Sequence, residues 1–155
     1  MSFTGASILS IEQFSLDDVE RIFAVADQMQ PFANRERVTK ALDGAILGNI
    51  FLEPSTRTRI SFGSAFNLLG GHVRETSDIS SSAFVKGESL QDSARILSGY
   101  SDIICLRHPT SGSVEKFAKY SRVPVINGGD GANEHPTQAL LDLFTIKKEL
   151  RAKNR

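Results

Sequence analysis

The chain has 155 residues and a mass of 16.9 kDa, room for one ordinary domain with a real core and too little for two. Its 18 Lys and Arg balance 18 Asp and Glu, so no global basic field exists to gather nucleic acid or an anionic membrane, and 40% hydrophobic with 23% charged residues is a soluble globular composition. A single Cys excludes an intramolecular disulfide framework and a Cys-rich zinc site, while the absence of an apolar run of ~18 residues and of a basic-then-apolar leader in MSFTGASILS makes the cytoplasm the expected location.

The first predicted element is a helix entered at Ser15. Ser15 and Asp18 have capping-box spacing, Asp17 and Asp18 put negative charge in the first turn, and Leu16, Val19, Ile22, Phe23, Ala26 and Met29 recur at helical spacing until Pro31 ends the run. After a polar stretch, the apolar run Ala45 to Leu52 is short and followed by Glu53-Pro54, which predicts a buried strand. Ser55 to Leu69 predicts a helix closed by Gly70 and Gly71, and His72 to Thr76 a second strand. Ser77 to Lys86 is Ser-rich and aperiodic, a loop. Glu88 to Gly99 is helical with Leu90, Ala94 and Leu97 on one face, and Asp102 to Leu106 is a third strand. Val114 to Tyr120 predicts a short helix capped by Ser113, Val123 to Asn127 a fourth strand, Gly128 to Gly131 a tight turn, and Pro136 to about Leu150 a last helix with Pro in its first turn.

One helix followed by four strand–helix units predicts an α/β domain of three layers, a four-stranded parallel sheet flanked by helices with right-handed crossovers. Such sheets bind ligands beyond the carboxyl ends of their strands. Chemistry is therefore expected at residues 53–58, 77–88, 107–109 and 128–138.

Ser55, Thr56, Arg57, Thr58 and Arg59 supply three hydroxyls and two guanidinium groups where a strand turns into a helix. Free N–H groups, a partial positive charge, hydroxyl donors and an Arg fork all suit an anion such as phosphate. The same residues would also serve as an ordinary Ser cap with two solvated Arg. Arg107, next to His108 and Pro109, would face the same crevice or simply pair with a carboxylate, and His108 is an alternative active group. His135 and Gln138 are three residues apart at the start of a helix, able to hydrogen-bond a small polar group or to serve as cap and solvated surface. Lys86 beside Gly87 would be either a mobile ammonium closing over an anion or part of a solvated loop. Cys105 lies among Ile103, Ile104 and Leu106 and is expected in the core, as are Phe51, Phe62, Phe66, Phe117 and Phe144. No His or Cys set suits a metal, and no Walker or dinucleotide glycine pattern occurs.

Taken together, FLEPSTRTR at 51–59, SSAFVKGE at 81–88, RHP at 107–109 and HPTQ at 135–138 resemble the transcarbamoylases, and closely the catalytic chains of aspartate carbamoyltransferases, over nearly the whole chain from Ile8. The resemblance implies transfer of a carbamoyl group from carbamoyl phosphate to the α-amine of L-aspartate, in pyrimidine biosynthesis, with no metal or organic cofactor. Ser55, Thr56, Arg57 and Thr58 would hold the phosphate. Arg107 would bridge phosphate and carbonyl oxygen, Thr58 and His135 would also donate to that oxygen, and Gln138 would hold the carbamoyl amino group. The family's site lies between subunits of a homotrimer, so Ser82 and Lys86 would reach into a neighbour's site; a regulatory chain is a candidate partner. Aspartate is preferred to ornithine because the Lys-Gly-Glu loop and the Gly-Asp-Gly turn resemble the aspartate enzymes. The alternatives are an ornithine enzyme and a non-catalytic anion-binding or assembly domain. Gly63 departs from the family, which often has Glu there. Residues 1–150 would form the carbamoyl phosphate-binding domain and 151–155 the start of a linker to a second, aspartate-binding domain, so this chain alone is expected to turn over weakly or not at all.

Overall fold

The short apolar run at the chain's first third becomes β1, Ile46–Phe51, and every other strand is arranged around it. A computed structural model describes residues 2–76 and 88–153. Besides β1 it contains β2 (His72–Thr76), β3 (Ile103–His108) and β4 (Val125–Asp130). The helices are α1 (Leu16–Ala33), α2 (Thr56–Leu68), α3 (Leu90–Leu97), α4 (Ser113–Ala118) and α5 (Pro136–Lys153), with a 3-10 turn at Ile11–Gln13. The sheet is wholly parallel in the order β2-β1-β3-β4. This is the α/β architecture that the alternation predicts.

Because side chains alternate across a strand, each sheet face has its own core. On one face Ile50, Leu52, Ile104, Leu106 and Val125 pack with Ala94 of α3 and with Val114 and Phe117 of α4. On the other, Leu47, Phe51 and Cys105 pack under Phe62 and Phe66 of α2. Cys105 is fully buried, and desolvation drives its thiol far above the usual range, which makes it inert core material. Phe144 is the exception among the phenylalanines: it meets Phe23 edge-to-face at 5.3 Å, between α1 and α5.

Several boundaries differ from the sequence expectation. Pro31 lies inside α1, because only its own N–H is missing and the Asn34 N–H still bonds Gln30 O at 2.9 Å. α2 ends in a Schellman closure, with Gly71 N–H on Phe66 O and Gly70 N–H on Asn67 O, made possible by Gly70 at φ +90°. α3 starts at Leu90 rather than Glu88, capped by Ser89, which accepts from Asp92 N–H. α4 is capped from Gly112, not Ser113, by a carboxylate distant in sequence: Asp130 accepts from Gly112 N–H at 2.8 Å and Val114 N–H at 3.4 Å. β3 runs on through Arg107 and His108, and β4 through Gly128, Gly129 and Asp130, so the supposed tight turn is the end of a strand. Ser77 to Gly87, including the predicted loop with Ser82 and Lys86, lies outside the described residues.

Candidate active site

All four strands run the same way, so their carboxyl ends meet at one rim. There β1 passes through Leu52, Glu53 and Pro54 into Ser55, whose φ of −155° and ψ of 103° make it the N-cap of α2. Ser55 makes no side-chain hydrogen bond to its own helix. An ordinary serine cap therefore does not describe it. The hydroxyl is not spent on the helix, and the first-turn N–H groups have no acceptor within it. The positive end of the α2 dipole adds to both.

A cleft of about 900 Å³ lies over this turn. Its lining brings together Ser55, Thr56, Arg57, Thr58, Arg107, His135 and Gln138, residues that the sequence spreads over 84 positions (55 to 138). Phe62, Ala65 and Leu141 supply an apolar wall. His108, the alternative to Arg107, is not part of the lining. It follows Arg107 on the strand and so points to the opposite face, where its Nδ1 accepts from Thr110 N–H at 3.0 Å.

Arg107 is held on two sides. Its Nε donates to Glu53 Oε1 at 2.5 Å and its Nη1 to Gly128 O at 3.3 Å. Pairing with a carboxylate, the bland alternative for this Arg, thus occurs, but with both side chains largely covered and with Arg107 still lining the cleft. Gly129 matters here: a Cβ on it would stand 3.0 Å from the guanidinium carbon, and its φ of +129° is one that L side chains rarely adopt. Glu53 and Gly129 fall within the stretches where the sequence predicts chemistry, but neither is singled out there for a role. The one signal for Glu53 was its place between strand and Ser55.

His135 comes from the loop before α5, two residues from Thr137, whose Oγ1 lies 3.4 Å from His135 Nδ1. Burial lowers its pKa below the ordinary value, the charge of Arg107 lowers it further, and Asp142 opposes both. The ring is thus neutral at pH 7 and can donate one N–H. Gln138 is exposed, and its Nε2 donates along α5 to Asp142 Oδ1 at 2.9 Å. Chemically this is an array of hydroxyls, two guanidinium groups, a helix N-terminus and a neutral imidazole. It suits a dianion joined to a polarised carbonyl. Among the described residues no group of three His, Cys, Asp or Glu side chains could hold a metal ion, and no described helix is long and apolar enough to cross a membrane.

Residues 6–148 match the family described as aspartate/ornithine carbamoyltransferase, carbamoyl-P binding domain. The chain is 71% identical, over its whole length and 46% of the relative, to the aspartate carbamoyltransferase catalytic subunit of Cellvibrio japonicus. It is 48% identical to that of Methanocaldococcus jannaschii over 92% of this chain and 47% of the relative. Among solved structures, aspartate transcarbamoylase of Trypanosoma cruzi in complex with carbamoyl phosphate and aspartate superposes with a TM-score of 0.88 at 42% identity, covering 94% of this chain and 48% of that one. The catalytic subunit of the M. jannaschii enzyme gives 0.86 at 47% identity over 93% and 47%. The chain spans about half the length of the curated relatives it matches.

Proposed function

The chain belongs to the aspartate/ornithine carbamoyltransferase family, matching its carbamoyl-phosphate-binding domain, and on that premise we propose that the cleft holds carbamoyl phosphate for transfer to the α-amine of L-aspartate. The observation that carries this reading is the convergence of Ser55–Thr58, Arg107 and His135 on one cleft, with Ser55 left free of its own helix. Aspartate is favoured over ornithine because the similar curated proteins are named for aspartate.

The phosphate sits against the N-terminus of α2, on Ser55, Thr56, Thr58 and Arg57. Thr58, Arg107 and His135 aim donors at the carbamoyl oxygen, and Gln138 orients the carbamoyl amino group. The amine of aspartate forms a C–N bond at the carbamoyl carbon. The resulting oxyanion is stabilised by those three donors, and the C–O bond to phosphate then breaks. Phosphate leaves against Arg57, with the proton lost by the amine passing to it. Catalysis of this kind is positioning plus electrostatic stabilisation, and a neutral His135 donates without adding repulsion beside Arg107.

We propose further that the working assembly is a trimer in which Ser82 and Lys86 complete a neighbour's site. In the full-length protein, Arg57→Ala and Lys86→Ala are each expected to be inactive, and mixtures that exchange subunits are expected to regain activity. Failure to regain it in mixtures proven to exchange would remove the shared site.

The direct test of the ligand is calorimetric titration of this chain with fresh carbamoyl phosphate in the cold, against inorganic phosphate. Preferential binding of carbamoyl phosphate, abolished by Arg57→Ala, is the expected result. Equal affinity for the two ligands would mean that the cleft recognises phosphate alone and would overturn the assignment of Arg107, His135 and Gln138 to the carbamoyl group.

A further inference from the structure

Beneath the anion-binding turn, the sheet carries a polar residue where its pattern calls for an apolar one. The α2-facing side of β1 reads Leu47, Asn49, Phe51, and Asn49 is fully buried. A buried carboxamide is costly unless it is hydrogen-bonded. Asn49 Nδ2 donates to the backbone carbonyl of Arg59 at 3.0 Å and to Glu75 Oε1 at 3.3 Å. Its Oδ1 has no partner among the described residues. Glu75 stands opposite Asn49 in the β1–β2 register, and its other oxygen lies 3.5 Å from Nη1 of Arg59. Room for this contact comes from Gly63, one turn further along α2. A Cβ there would lie 3.3 Å from Glu75 Oε1 and 3.6 Å from Asn49 Nδ2.

We propose that Asn49 and Glu75 are positioning residues that set the placement of the α2 N-terminus, and with it Ser55–Thr58, relative to Arg107. The inference rests on the reading of the cleft as a carbamoyl phosphate site. Three elements are tied at one point: β1 through Asn49, β2 through Glu75, and α2 through the carbonyl and guanidinium of Arg59, the residue after Thr58. The reference point for Arg107 is on the same sheet face, since Asn49 pairs with Cys105 and Phe51 with Arg107. A helix held only by Phe62 and Phe66 on an apolar surface can slide by a fraction of a turn at little cost. A hydrogen bond to one backbone carbonyl cannot be kept through such a slide, because neither its length nor its direction would survive. An aliphatic residue at 49 would fill the core without an orphaned oxygen. The arrangement accepts that orphan, and an empty side-chain position at 63, in exchange for a fixed register.

The test compares the unmodified chain with Glu75→Ala, Glu75→Gln and Asn49→Ala. Carbamoyl phosphate affinity is measured by calorimetry, thermal midpoint by scanning, and amide hydrogen exchange residue by residue. Glu75→Ala is expected to bind about tenfold more weakly, with faster exchange confined to residues 59–63 of α2. Glu75→Gln retains an acceptor for Asn49 and is expected to bind within about twofold of the unmodified chain. Glu75 is half-exposed, so its variants fold even if Asn49→Ala does not. Unchanged affinity and unchanged α2 exchange in Glu75→Ala would overturn the proposal. So would an exchange increase spread evenly over α2 and α5, which would mark a purely global role. If the unmodified chain binds no carbamoyl phosphate, the cleft needs the neighbouring subunit or a further domain in order to bind, and the family reading stands. The exchange measurement then still decides whether the clamp fixes α2.

Discussion

Arg107 and His135 share one cleft, and the charge of the first adds to the burial that disfavours a proton on the second. Burial is the larger cause of the lowered His135 pKa, and the Arg107 charge adds to it. The folded chain therefore binds a proton at this site less readily than the unfolded chain does. Between the ordinary value of 6.5 and the lower folded value, the unfolded state holds more protons. Stability thus falls as the pH drops through that window and levels off below it. His108, also lowered by burial, adds in the same direction. His135→Gln is expected to lose less stability between pH 7 and pH 5 than the unmodified chain, measured by urea unfolding at each pH; equal losses would show that His135 titrates alike in the folded and unfolded chains. Arg107 has its own dependence on a neighbour. Gly129→Ala forces a Cβ to 3.0 Å from the guanidinium at φ +129°. It is expected to cost ~1–3 kcal/mol of unfolding free energy and to weaken carbamoyl phosphate binding by displacing Arg107. Unchanged affinity in a folded Gly129→Ala would show that the guanidinium can give way without leaving the site.

Elements were legible in the sequence to the extent that their causes are local. α1 carries its own capping box and α2 its own closing glycines, and β2 emerges with the bounds that its flanking signals predict. The C-terminal halves of β3 and β4 were not legible. Arg107, His108, Gly128, Gly129 and Asp130 are poor strand residues by composition; Arg107 is in a strand because it pairs with Phe51, and His108 because it pairs with Asp130, while Gly128 and Gly129 fall where the β3–β4 register shifts. Seven of the nine expected site residues were recoverable as one cleft because each lies at or beyond the carboxyl end of a strand, whereas Asn49, Glu75 and Glu53 act through contacts that no spacing rule reports. The cap of α4 is the clearest case. Its carboxylate, Asp130, lies 18 residues from Gly112, is nearly fully buried, and also receives Asn133 Nδ2 at 3.3 Å. Six residues are too few for a helix to hold itself. Asp130→Ala strands the buried Val114 N–H and removes the acceptor of the Gly112 N–H, and is expected to lose ~2 kcal/mol, with α4 amides the first to exchange. Asp130→Asn, which keeps one acceptor oxygen, is expected to lose less. A loss of the same size in both variants would mean that charge, not hydrogen bonding, holds the cap.

A four-stranded parallel sheet has two free edges, and this molecule covers them differently. β2, at one edge, is five residues long and carries Arg74 and Glu75, charges that discourage pairing with another chain. β4, at the other edge, begins with the apolar Val125 and Ile126 and has no such guard of its own. The N-terminal segment supplies it. Ile8 bridges Ile126 in parallel, Ile8 N–H bonds Val125 O, Asn127 N–H bonds Ile8 O, and Asn127 Nδ2 bonds Leu9 O. Glu134 locks the segment in place, accepting from Ser10 Oγ at 2.8 Å and Ile11 N–H at 3.3 Å. With a formal net charge of zero, the molecule has no long-range repulsion to keep an uncovered edge from finding a partner. A chain lacking residues 1–13 is therefore expected to sediment as larger, heterogeneous species than the full chain at equal concentration. Glu134→Ala, which loosens the segment without removing it, is expected to show the same trend more weakly. If both sediment as the full chain does, the N-terminal segment does not guard the sheet, and the edge of β4 must be protected by its own short length and twist.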